Sequence, residues 1–360
     1  MPVVWTDRHR EHEPGGEVWV GVRTPGTEVG ERAERIRAAL EADGAPVVTA
    51  AAHDDEPVLA VHDRELLDYL ASAWDDWQAA GLDRDPGQDR VVPYVFTNPA
   101  LMSGLRPVTA AAITARAGQF AYDTMTLIGP GTWNAARAAV DAALTAADLV
   151  ADGEPAAYAC CRPPGHHATR TGFGGSCYLN NTAVAAARVR ARLGAPVAVV
   201  DIDAHHGNGT QSIYYADPDV LVASAHVDPG AGWFPHFLGF ASETGSGAGA
   251  GANRNLPLAP GTGDERWLEA VSELGDWAAS GGAQALVVAL GVDAAAGDPE
   301  SPLAVSAEGY RAAGHTLGEL GLPTVIVQEG GYDLESIGLL VHATLTGVES
   351  ATGPPRRGSR

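Results

Sequence analysis

With 360 residues, 45% of them apolar, the chain can bury a sizeable core and fits one α/β sheet. A formal charge of −22, with all 23 basic residues arginine, excludes a nucleic-acid surface and is compatible with a cationic small-molecule partner. No run approaches the roughly 18 apolar residues of a membrane span, residues 1–10 carry no apolar secretion region, and Cys160, Cys161 and Cys177 form no Cys-x-x-Cys pair, so a cytoplasmic, reducing setting without membrane contact is expected.

In chain order the sequence predicts a strand at 18–22, helices at 31–42 and 64–80, a loop at 90–107 and a helix at 133–150. A strand at 157–160, a helix at 181–193, strands at 197–202 and 220–224 and a loop at 227–263 follow. The chain then predicts a helix at 265–279, a strand at 285–290, a helix at 306–320 and a strand at 324–328. The strands are continuously apolar, as strands covered on both faces are. Their alternation with amphipathic helices predicts a single-domain, three-layer α/β/α arrangement around a central, mainly parallel sheet. The domain is expected over 1–352, with 353–360 a disordered tail. Val91, Tyr94, Phe96, Leu101 and Met102 mark the loop at 90–107 as a rim or interface loop. The cluster Trp233-Phe234-Pro235-His236-Phe237 suits a loop shaped around a pocket.

Polar residues gather at the carboxyl ends of the strands, where parallel sheets place their sites. Arg162-Pro163-Pro164-Gly165-His166-His167 follows one strand, and Asp201-Ile202-Asp203-Ala204-His205-His206-Gly207-Asn208-Gly209 closes another. Ser224 leads to His226 and Asp228, Leu290 to Asp293, and Val327 to Glu329-Gly330-Gly331-Tyr332. Residues two apart on an extended chain share a face, so Asp203 and His205 can reach one metal ion, with Asp201 on that side. Asp293 is the natural third ligand. One nitrogen and two carboxylates leave a coordination position open, as a catalytic zinc site requires. His166 and His167, on a loop fixed by Pro-Pro-Gly, suit proton transfer near neutral pH. Asp201 and Asn208 are candidate partners for their second nitrogens, and a carboxylate raises basicity more than an amide does. Two glycines allow Tyr332 to bring its phenol to a developing oxyanion.

These motifs, with Asp298-Pro299 after Asp293, resemble the arginase/histone-deacetylase superfamily. Segments 73–81, 130–133 and 234–245 are further similar to the bacterial acetylpolyamine amidohydrolases, and the resemblance spans nearly the whole chain. It implies one zinc ion on Asp203, His205 and Asp293, with His167 as general base and then acid, Asn208 behind it, and His166 acting electrostatically against Asp201. Tyr332 would bind the oxyanion. A monovalent cation, potassium or sodium, would be lined by Asp201, Asp203, His205 and Ser224, and the loop at 90–107 would make a homodimer. Phe234, Gly175 and Ser176 would line the substrate tunnel. Ser176 stands where an aromatic is usual, so one wall is lost unless Phe173 swings in. Ala117 replaces an acidic residue of the amidohydrolases. Glu300 lies where a gatekeeper carboxylate would meet an internal ammonium, and Asp123 where a rim acid would orient substrate.

The implied activity is hydrolysis of the acetyl group from small cationic N-acetylamines, acetylpolyamines above all. Deacetylation of acetyl-lysine in proteins, or of a specialised-metabolite acylamine, are the alternatives within that chemistry. A two-manganese ureohydrolase needs a second late aspartate where this chain has Ala295, and a silent sensor needs a lost catalytic group, whereas His166, His167 and Tyr332 are all present.

Overall fold

Every residue along the central apolar runs is buried, and since successive side chains of a strand point to opposite faces, each run has two covered faces. The computed structural model describes residues 1–84, 88–106 and 108–352, so Pro107 and the expected tail at 353–360 lie outside the described residues. The strands are β1 (Val3–Trp5), β2 (Glu17–Trp19), β3 (Val22–Thr24), β4 (Val47–Thr49), β5 (Ala156–Ala159), β6 (Val197–Asp201), β7 (Val220–Val227), β8 (Asn253–Leu258), β9 (Ala285–Leu290) and β10 (Thr324–Gln328). Eight of them form one sheet in the order β4-β1-β5-β10-β9-β6-β7-β8, with every pairing parallel.

Val197 and Val199 of β6 enter one apolar layer, and Ala198 and Val200 enter the other. Helices Arg64–Ala79, Thr132–Ala151 and Asn181–Leu193 close the first layer. Helices Glu31–Ala42, Asp264–Ser280, Ala307–Glu319 and Ile337–Thr352 close the second. The last two meet at glycines. A β-carbon on Gly314 would lie 2.1 Å from the Thr344 carbonyl oxygen, and one on Gly347 2.1 Å from that of Arg311.

The expected three-layer α/β/α fold is present, with two local differences that matter for the site. The run at 18–22 is no buried strand: β2 and β3 pair antiparallel as a hairpin whose turn residues, Val20 (φ 48) and Gly21 (φ 79), are both left-handed. Its tip is a surface flap, with Val20 82% exposed. In the loop at 90–107, Tyr94, Leu101 and Leu105 are exposed, but Val91 is buried and bridges to Ile128, and Asn98 caps a one-turn helix, Pro99–Met102. Strands β1, β4 and β8 have no counterpart in the sequence reading. The first two are three residues long, and β8 is an edge strand with a polar Asn253-Arg254-Asn255 start.

The five strands whose carboxyl ends bear the polar motifs, β5, β10, β9, β6 and β7, are consecutive in the sheet. Their loops therefore converge. One buried histidine outside the motifs braces them. The Nδ1–H of His62 donates to the Thr169 carbonyl at 2.8 Å, and its Nε2 accepts the Asn180 N–H at 2.8 Å. Asn180 in turn caps the helix Asn181–Leu193 and donates to the Ala168 carbonyl.

Both His62 nitrogens are committed in the neutral form, and burial lowers its pKa to about 4. A depressed histidine contributes stability that is complete above the unfolded value of about 6.5 and is lost as pH falls toward 4, at up to about 1.4 kcal/mol per pH unit. His62→Gln is expected to unfold with a shallower stability slope than wild type between pH 6.5 and 4. Calorimetric midpoints measured across that window check it, and identical slopes would refute the assignment.

Candidate active site and metal centre

Asp203 and His205 leave β6 on one side of the chain, and Asp293 comes from the loop after β9. His205 Nδ1 lies 3.0 Å from Asp293 Oδ2 and 3.3 Å from Asp203 Oδ1. Backbone N–H groups hold the carboxylates in place. His205 N donates to Asp203 Oδ1, Gly330 N to Asp203 Oδ2 and Ala204 N to Asp293 Oδ1, each at 2.8 Å. Gly330 must be glycine for this approach, because a β-carbon there would sit 2.3 Å from Asp293 Oδ2.

The donor set calls for a cation. Burial raises Asp293 to about 7, and the neighbouring Asp203 charge pushes it the same way. Burial opposes the charge on His205, yet Asp203 and Asp293 hold it well above the usual histidine range. Two aspartates and an imidazole facing one point, all within 4.8 Å of one another and buried, fit a divalent zinc ion. Asp203, His205 and Asp293 are the residues that could hold it.

His166, Cys177 and Glu329 form the second group of metal-capable donors among the described residues. Its geometry has a structural account without an ion. Glu329 Oε2 accepts Gly165 N–H at 2.6 Å and His166 N–H at 3.0 Å, while Oε1 accepts the Thr182 hydroxyl at 2.6 Å. This carboxylate anchors the histidine loop to β10.

The two histidines have unlike partners. His166 Nδ1 meets Asp201 Oδ2 at 2.9 Å, and His167 Nδ1 meets Asn208 Oδ1 at 2.7 Å. Burial disfavours a charged His166, but Asp203 and Asp201 override it and hold its pKa at about 10. Burial lowers His167 well below the usual range, and the positive His166 and His205 push the same way. One ring is thus charged and the other neutral, 4.0 Å apart between centroids. Gly207 permits the packing, since a β-carbon there would lie 2.2 Å from Asp201 Oδ2. Ser224 is the register partner of Asp201 across β6 and β7, and its hydroxyl lies 2.8 Å from His226 Nδ1.

Tyr332 is held by residues distant in sequence. Its N–H donates to Asp298 Oδ2 at 2.7 Å, and the Arg32 guanidinium lies over its ring at 4.6 Å. Burial raises the phenol far above 10 while Arg32 opposes the shift, so the hydroxyl keeps its proton to donate. Arg32 also donates to the carbonyls of Glu329 and Gly331 and to Glu28, which Arg162 shares at 2.8 Å. Burial would raise the Glu28 carboxyl, but Arg162, His12 and Arg32 hold it well below the carboxylate range.

A cavity of about 440 Å³ leads to this centre. His167, His205 and Tyr332 of the centre line it, together with Phe234, Gly175, Ser176 and Glu300. Asp298 fixes the Glu300 backbone as well as that of Tyr332, and Thr27 donates to Glu300 Oε1 at 2.8 Å. Asp123 fastens the backbone beside the cavity. Its carboxylate accepts N–H groups of Gly175, Met125 and Thr126, and it builds the wall without lining the cavity.

The hairpin adds residues the sequence reading missed: Glu17, Trp19 and Thr24 all line the cavity. Burial raises Glu17 to about 7, with Glu300 and Asp123 adding to the shift. A strand-like run at 18–22 hid these residues, and an Asx/Gly turn signal stronger than Val20-Gly21 was needed to reveal the flap.

Comparison with known proteins identifies the family. Residues 27–348 match the histone deacetylase domain family. An acetylpolyamine amidohydrolase of Mycoplana ramosa is 42% identical over 97% of this chain and 99% of its own length. Acetylpolyamine amidohydrolase 1 of Pseudomonas aeruginosa is 38% identical over 98% and 99%. A crystal structure of an acetylpolyamine aminohydrolase from Burkholderia pseudomallei superposes with a TM-score of 0.91 at 38% identity, covering 98% of this chain and 100% of the other. The chain belongs to the histone deacetylase family and is a hydrolytic deacetylase.

Proposed function

We propose that the protein is a zinc-dependent amidohydrolase that removes acetyl groups from small cationic acetylamines of the acetylpolyamine class. The observation that carries this reading is the unequal histidine pair, one ring backed by Asp201 and the other by Asn208, beside a centre of two aspartates and an imidazole. The names of the relatives support the acetylpolyamine class, as do Glu17 and Glu300 in the cavity.

Zinc held by Asp203, His205 and Asp293 supplies Lewis acidity toward water and the acetamide oxygen. His167 donates Nδ1–H to Asn208, which leaves the Nε2 lone pair free to take a proton from the attacking water. His166, charged against Asp201, stabilises the negative charge that develops and keeps His167 neutral beforehand. The Tyr332 hydroxyl donates to the carbonyl oxygen as it becomes an oxyanion. The proton on His167 then passes to the amine nitrogen as the C–N bond breaks, giving acetate and a free amine. A monovalent cation, which Asp201, Asp203, His205 and Ser224 would line, belongs to the same reading.

Turnover of N-acetylputrescine, N8-acetylspermidine and an acetyl-lysine peptide tests the reading, with both acetylpolyamines expected to exceed the peptide in kcat/KM. His167→Ala is expected to lower kcat about 10²- to 10⁴-fold and Tyr332→Phe about 10²- to 10³-fold. Wild-type turnover by His167→Ala, or faster peptide hydrolysis, would overturn it.

Glu17 gives a separate expectation for pH. Its carboxyl, raised to about 7, is neutral below that pH and charged above it. KM for N8-acetylspermidine should therefore fall roughly three- to tenfold as pH rises from 6 to 8. Glu17→Gln should flatten the profile, and an unchanged profile would rule out Glu17 as a cation partner.

A further inference from the structure

The His167 ring is held by two loops at once. Its backbone belongs to the loop after β5, while Asn208, which takes its Nδ1–H at 2.7 Å, belongs to the loop after β6. The loops press together: the His166 carbonyl accepts the N–H groups of Gly209 and Thr210 at 3.0 and 3.1 Å, and a β-carbon on Gly209 would lie 2.3 Å from the Ala168 carbonyl oxygen. One buried side chain spans this junction. Asn180 Oδ1 accepts the Ala183 N–H at 2.8 Å and caps the helix Asn181–Leu193, which fixes the orientation of the amide. Its Nδ2 donates to the Ala168 carbonyl at 3.0 Å and to the Thr210 hydroxyl at 3.1 Å, and lies 3.4 Å from the His166 carbonyl. A single nitrogen thus meets the carbonyls of the residues before and after His167, and the residue two beyond Asn208. Asn180 itself does not line the cavity.

A helix cap alone does not account for this residue. Serine, threonine or aspartate caps a helix as asparagine does, but none of them offers two hydrogens from one nitrogen to a carbonyl and a hydroxyl on different loops. We propose that Asn180 is a positioning residue for the proton transfer: it fastens the loop carrying His167 to the loop carrying Asn208. The Nδ1–H then stays on Asn208, and the Nε2 lone pair stays available to the attacking water. His62 completes the clamp, accepting the Asn180 N–H at 2.8 Å and donating to the carbonyl of Thr169, one residue beyond Ala168, at 2.8 Å. This inference rests on the reading of His167 as the proton carrier and adds the group that aims it. A misplacement of about 1 Å can cost a reaction roughly 10²-fold, which sets the scale of the effect.

Two substitutions separate the bridge from the cap. Asn180→Ser keeps a capping oxygen and removes the bridging amide, whereas Thr210→Val keeps the amide and removes its partner on the second loop. Each, and the two together, are compared with wild type as zinc-loaded protein on N8-acetylspermidine, with kcat expressed per folded chain. Each single change is expected to lower kcat roughly ten- to hundredfold with KM kept within about twofold. The double variant should be within about twofold of the slower single one, because both changes break the same bridge. Imidazole ¹⁵N spectra, with His167 assigned by its loss in His167→Ala, should show one tautomer protonated at Nδ1 in wild type and a mixture in Asn180→Ser and Thr210→Val. A merely structural role would lower the melting temperature and leave kcat per folded chain and the tautomer unmoved. Wild-type kcat in either variant, single effects that multiply in the double, or an unchanged tautomer overturns the inference, and the broader reading stands so long as His167→Ala is inactive. Wild-type turnover by His167→Ala overturns both. Should Asn180→Ser fail to fold, Thr210→Val decides by the same kcat and spectra.

Discussion

Buried negative charge at the carboxyl edge of one sheet is the constraint on which the rest of this structure depends. Asp201, Asp203, Asp293 and Glu329 are each at most 1% exposed, and burying carboxylates is costly unless they are paired and hydrogen-bonded. The fold meets that cost with backbone N–H groups from the loops after β5, β6 and β10, and with glycines that let those loops come close. Consecutive strand order makes this convergence possible, because five neighbouring strands deliver their loops to one place. The backbone leaves Asp203 and Asp293 facing each other across His205, a residual charge suited to a divalent ion.

The same field differentiates the histidine pair. Asp201 and Asp203 favour charge on His166, and that charge, with burial, disfavours it on His167. A neutral base next to a cation is what hydrolysis of an unactivated amide needs, since the base must accept a proton while negative charge grows beside it. A second layer of long-range contacts holds the acid side of the site. Arg162 and Arg32 share the buried Glu28, and Arg32 grips both the backbone after β10 and the Tyr332 ring. Asp298 accepts the backbone N–H groups of both Tyr332 and Glu300 and so ties the two positions together.

What could be read in the sequence was what is local. The strands at 285–290 and 324–328 and the helices at 31–42 and 181–193 have their expected bounds, because each is a continuous apolar run or a periodic segment between clear stops. The motif residues share strand ends, so their gathering at one edge followed from period and topology alone. The residues that escaped act across long chain separations. His62 reaches Asn180, Arg32 reaches the carbonyls of Glu329 and Gly331, and Glu17 arrives on a hairpin that reads as a buried strand. No local pattern records such contacts. The helix Ile337–Thr352 went unassigned for a related reason: its glycines mark close packing on a neighbouring helix, which looks like helix breaking when read locally. Asp123 has a structural partner that the sequence did not reveal, since its carboxylate accepts the Gly175 N–H.

The central claim is that hydrolysis depends on a cation gathered by Asp203, His205 and Asp293. The most direct measurement strips the protein with a chelator, titrates it with Zn²⁺ and follows bound metal per chain and N8-acetylspermidine hydrolysis together. The account requires binding at one high-affinity ion per chain, activity that returns in proportion to occupancy, and loss of both in Asp293→Asn. Full hydrolysis by the metal-free protein, or activity that returns without binding at this site, would contradict it.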